Sequence, residues 1–184
     1  MTAVRPSPVD WEALMDRLSA FYHSGDWRRP YLRDHAEDPF QVLVGTILSQ
    51  RTRDEQTGLA SARLFARFPD APRLAAAPRV EVERLIRPVG FYRTKSRTVR
   101  ACARALLDRF KGVVPSRLEE LVSLPGVGPK TANCVLVFGY GLPGMPVDTH
   151  VHRIANRLGW SVPGPRRRRR PRCARACRNA TGTR

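Results

Sequence analysis

The chain has 184 residues, 42% hydrophobic and 27% charged, enough for a packed core in one domain or two small ones. No run approaches the roughly 18 uncharged apolar residues of a membrane span, and the start, MTAVRPSPVDWEALMDR, lacks the apolar core of a secretory signal. With 33 Lys+Arg against 16 Asp+Glu the net charge is +17, a surplus that points to a polyanion partner, most often nucleic acid.

In chain order the pattern is helical spacing punctuated by Pro and Gly, with no strand alternation. Trp11, Leu14, Met15, Leu18, Phe21 and Tyr22 form one face of a first helix. Asp38-Pro39 predicts a helix start, and the following FQVLVGTILS is apolar nearly all round, as a buried central helix would be. Asp54 is expected to cap a helix that Pro69 stops, and a short helix near 79–87 ends before Gly90. Thr94 opens a long helix with Val99, Cys102, Ala103, Leu106, Leu107 and Phe110 inward, closed by Gly112. Ser116 and Glu119 make a capping-box pattern. Next comes LPGVGPKTANCVLVFG, a tight glycine turn between two helices. After the loop GLPGMP, Asp148 or Thr149 caps the last helix, THVHRIANRLG. The body is therefore expected to be all-α.

The charge is uneven. Residues 164–184, GPRRRRRPRCARACRNATGTR, hold nine of the arginines and no acid, leaving +8 on the first 163 residues. This tail is almost free of large apolar residues and is expected to be disordered.

The segment LPGVGPKT at 124–131 is the most specific feature. Its two glycines allow a sharp turn whose backbone amides of Gly126, Val127 and Gly128 form a nest for a phosphate at a helix start. The alternative is an ordinary helix–turn–helix connection. Lys130 falls on the first helical turn, where the positive dipole end disfavours its charge, a requirement for an amine nucleophile. Asp148 supplies a carboxylate at another helix start, and its residue-level reading favours a plain N-cap.

LPGVGPKTAN followed by VDTHVHRIANRLG resembles the helix-hairpin-helix-GPD DNA glycosylases, specifically the endonuclease III family, and DPFQVLVGTILSQRTRDE and GFYRTKSRTV resemble it too. The resemblance runs from about Trp11 to Trp160. It implies an all-α fold with a six-helix barrel at 32–142, the helix-hairpin-helix at about 117–140, and an incomplete second helical domain from 1–31 and 143–163. It also implies a bifunctional DNA N-glycosylase and abasic-site lyase that removes oxidised pyrimidines from duplex DNA. Lys130 is then the nucleophile that forms a Schiff base, and Asp148 its catalytic carboxylate. Thr131 and His150 are implied DNA contacts. Where the family carries a glutamine that fills the gap left by a flipped base, this chain has Arg51, with Gln50 beside it; either takes that role, or both face solvent. The alternatives are a weakened helix-hairpin-helix DNA-binding protein and a base-only glycosylase, which does not need Lys130.

The family often carries a [4Fe–4S] cluster on four closely spaced cysteines. Here Cys102 and Cys134 fall on apolar helix faces, while Cys173 and Cys177 sit in the tail, so the expectation is no cluster and no metal ligand set. The family pattern predicts further helices after Trp160, where this chain has its tail. A frameshift in a GC-rich gene, a basic arm for nonspecific DNA affinity and a small metal knuckle are the three readings. Without those helices, Trp11, Leu14 and Phe21 are expected to lose their partners. A monomer, cytoplasmic and nucleoid-associated, is expected.

Overall fold

The computed structural model describes residues 10–23 and 38–158. The connection 24–37 and the tail 164–184, with Cys173 and Cys177, lie outside the described residues, as do the side chains of Trp11, Met15 and Tyr22. All regular structure among the described residues is helical. None of these helices is long and apolar enough to cross a membrane. The chain divides into two compact units, Arg29–Pro146 and Met1–Arg28 with Val147–Arg184.

Asp38 begins the core of the larger unit, its side chain accepting from the Phe40 N–H at 2.8 Å, with Pro39 at the first helical position. The helix that follows, α2 (Pro39–Ser49; α1 is Trp11–His23), buries Phe40 and the whole run Val42–Leu48. Each large side chain among them contributes about 1.5–3 kcal/mol by leaving water. That burial on all sides follows from its neighbours: α3 (Asp54–Arg67), the long α6 (Tyr92–Phe110), α8 (Pro129–Cys134) and the π-helical turn Val135–Gly139 all pack on it.

Three boundaries differ from the sequence expectation. Asp54 is the first residue of α3 rather than its cap; Arg53 holds that position without a side-chain bond. The long helix starts at Tyr92 and not Thr94, because the N–H groups of both Thr94 and Lys95 already donate to the Phe91 carbonyl at 3.0 Å. Ser116 and Glu119 do not frame α7 (Leu118–Val122), whose N-cap is Arg117, again with no side-chain bond. One helix is additional to the sequence expectation, α4 (Ala71–Ala76). Its signal is present in the sequence: Asp70 accepts from the Arg73 N–H at 2.8 Å, and Pro72 occupies the first turn. Together α4 and α5 (Arg79–Leu85) cover α6, whose inner face is Val99, Cys102, Ala103 and Leu106, with Leu107 and Phe110 at its edge.

In the smaller unit, α1 leaves Leu18 39% and Phe21 67% exposed, with Leu14 half-buried. The last helix, α9 (Thr149–Arg157), buries Ala155 and exposes Ile154.

Candidate active site on the glycine hairpin

Helices α7 and α8 are joined by a turn in which two glycines do different work. Gly126 has φ +78°, and a Cβ built on it would lie 2.2 Å from the Thr98 methyl of α6. Both its backbone conformation and its neighbour therefore require glycine. Gly128 is extended (φ −101°, ψ 175°) as the N-cap of α8, and nothing lies within 4 Å of where its Cβ would be. The space in front of Gly128 is open to whatever approaches the start of α8.

The nest of amides is smaller than the sequence implies. The Val127 N–H donates to the Leu124 carbonyl at 3.2 Å, and the Val127 side chain is buried, so this amide belongs to the turn. Gly126 is exposed and Gly128 half-buried. Lys130 is half-buried on the first turn of α8, beside Thr131, which is buried. Asn133 steadies that turn by donating from Nδ2 to the Pro129 carbonyl at 2.8 Å.

Gln50 reaches this hairpin from the end of α2. Its Nε2 donates to the Gly126 carbonyl at 3.2 Å and lies 3.5 Å from Thr131 Oγ1. Arg51, next in sequence, is exposed and has φ +55°, a left-handed conformation unusual for arginine. The two residues that the sequence left as alternatives are thus distinct: Gln50 is joined to the hairpin, and Arg51 faces outward.

The group that organises this turn was not singled out in the sequence. Lys95 is 7% exposed, and its Nζ donates to the carbonyls of Leu48 at 2.7 Å and Gln50 at 2.6 Å and to Thr52 Oγ1 at 2.8 Å. Burial pushes its ammonium down from the ordinary 10.5 to about 8. A signal exists, since Lys95 and Ser96 occupy the helical stripe between Tyr92 and Val99, where an apolar residue is expected.

In the other unit, Asp148 is the N-cap of α9: its Oδ1 accepts from the N–H groups of His150 at 2.9 Å and Val151 at 2.8 Å. Both bonds end on one oxygen. His150 is exposed, with Nδ1 3.4 Å from Arg153 Nη2.

Cys102 and Cys134 are buried at 0% and 1% exposure, and burial pushes the Cys102 thiol up to about 12, far from the thiolate that metal ligation requires. No group of three or more His, Cys, Asp or Glu that could hold a metal ion occurs among the described residues. The two described cysteines, both buried and with the Cys102 thiol held protonated, do not fit a four-thiolate cluster.

A family model described as HhH-GPD superfamily base excision DNA repair protein matches residues 44–178. The chain is 51% identical over 129 residues to the endonuclease III of Thermotoga maritima, covering 70% of this chain and 61% of that one. It is 37% identical over 164 residues to the endonuclease III-like protein 1 of Bos taurus, covering 84% and 54%. The chain thus spans about six-tenths of the length of the first and just over half of the second. Among solved structures it is similar to a trapped endonuclease III–DNA covalent intermediate, with a TM-score of 0.75 at 28% identity over 94% of this chain and 79% of that one. A non-covalent endonuclease III–DNA complex aligns with a TM-score of 0.72 at 32% identity over 84% and 72%. With the family model matching well over half of its length, the chain belongs to the HhH-GPD superfamily of base excision DNA repair proteins, on the endonuclease III branch.

Proposed function

We propose that this chain removes oxidised pyrimidines from duplex DNA and cuts the resulting abasic site through a Schiff base on Lys130. The observation that carries the reading is the placement of Lys130: a half-buried amine on the first turn of α8, directly after a glycine turn whose front is open at Gly128. A binding module needs the turn but not the amine. The likeness to a trapped endonuclease III–DNA covalent intermediate supports covalent chemistry.

In this reading a damaged base leaves the stack, and the lone pair of Lys130 Nζ attacks C1′ of its sugar. The C1′–N bond breaks, its electron pair leaving with the base, which takes up a proton. The amine gives up one proton, the C1′–O4′ bond breaks with its electron pair going to O4′, which takes up a proton, and the C1′=N iminium forms with the sugar ring open. Loss of a proton from C2′ then pushes electrons towards the iminium and expels the 3′ phosphate, cutting the strand. From the family resemblance, Asp148 is assigned as the carboxylate that balances positive charge on the sugar. The amides of Gly126 and Gly128 hold a phosphate, His150 touches the backbone, and Arg51 enters the gap left by the base. Gln50 braces the hairpin through the Gly126 carbonyl and Thr131. The partner is double-stranded DNA, and the +17 net charge favours it without regard to sequence.

Borohydride reduction in the presence of an abasic duplex tests this. A covalent protein–DNA adduct that disappears in Lys130→Ala is expected. DNA binding without any adduct would instead establish a binding-only protein, and release of the base from a second duplex carrying an oxidised pyrimidine, again without an adduct, a base-only glycosylase.

A further inference from the structure

The connection between α2 and α3 is a type II turn: Gln50 has φ −56° and ψ 116°, Arg51 has φ +55°, and the Thr52 N–H closes on the Ser49 carbonyl at 3.1 Å. The third position of such a turn ordinarily takes glycine, because a side chain there is strained. Strain of this kind persists only where surrounding structure over-determines it, and it concentrates at functional sites. Here the over-determining group is the Lys95 ammonium. Its three bonds span the end of α2, the middle of the turn and the last residue of the turn. A further bond adds to the hold, as Thr52 Oγ1 accepts from the Gly90 N–H at 3.2 Å. No carboxylate is among these partners; the charge is met by oxygen dipoles alone.

The same turn carries two neighbouring residues in opposite duties. Gln50 points back to the hairpin at Gly126 and Thr131, and Arg51 stands exposed. A relaxed turn would let the Gln50 carbonyl rotate, and Arg51 would lose the one conformation that separates it from Gln50.

We propose that Lys95 is a positioning residue for action on duplex DNA: by holding the 49–52 turn it keeps Gln50 on the hairpin and Arg51 presented to the gap in the base stack. This rests on the proposed function. It predicts a dependence that a merely structural lysine would not show, because a single strand has no opposite base and no gap to fill.

Lys95→Met keeps the length of the side chain and removes its donors. Borohydride trapping rates are compared between an abasic duplex and the same abasic strand alone. The expected result is a fall of about tenfold or more on the duplex with less than a twofold change on the single strand. Thr52→Val, which removes one of the three acceptors at constant volume, is expected to lower the duplex rate several-fold with the single-strand rate again preserved. It carries the test if Lys95→Met does not fold. Equal losses on both substrates, or an unchanged duplex rate, overturn the inference while leaving the Lys130 chemistry standing. An absence of adduct from the wild-type chain overturns the proposed function and this inference with it.

Discussion

At Gly126 a positive φ and a neighbour 2.2 Å from the would-be Cβ act together, whereas Gly128 has neither constraint. Gly126→Ala should lower stability by more than about 1–2 kcal/mol, the cost of a left-handed L-residue alone. Gly128→Ala should leave the melting curve within about 0.5 kcal/mol of wild type. If the open space before α8 receives a phosphate, the second change weakens DNA binding all the same. Thermal melts paired with DNA titrations separate the two effects; a loss of stability in Gly128→Ala would remove the argument. The buried thiols give another residue-scale prediction. Cys102 and Cys134 should resist alkylation in the folded protein and react on unfolding, as mapped by mass spectrometry, because burial holds Cys102 protonated up to about 12. Lys95 sets a pH dependence with a definite sign. Its folded value, about 8, lies below the ordinary 10.5, so between these limits the unfolded chain binds more protons and stability rises with pH. Over the same window the neutral amine has two donors for three acceptors. Duplex action should therefore weaken above pH 8 while the fold does not, and the stability increase should vanish in Lys95→Met.

At the scale of single helices, caps decide what a substitution can report. Asp148 is an N-cap whichever role its charge plays, so Asp148→Ala should cost about 1 kcal/mol from the cap alone. Asp148→Asn keeps a capping oxygen and removes the charge. A catalytic carboxylate predicts that trapping falls in both variants although stability falls only in the alanine one. Trapping at the wild-type rate in Asp148→Asn would leave the cap as the whole role.

For the whole molecule the governing quantity is charge. Binding to undamaged duplex should weaken steeply with salt, as released counterions require, and a chain ending at Pro163 should show a shallower slope for want of nine arginines. Equal slopes would show that the tail makes no phosphate contacts. The helical character, the buried α2, the hairpin and the N-caps at Asp38 and Asp148 were legible in the sequence. They rest on local rules: periodicity, proline and glycine punctuation, and caps within four residues of the helix they start. Tertiary packing alone decided the rest. The splitting of Gln50 from Arg51 and the choice of Lys95 as their anchor depended on contacts between residues tens of positions apart. A lysine in an apolar stripe looks like an interruption until three oxygens from another helix end are seen around it. Spacing along one helix carries no information about the dipoles that a distant segment brings to it.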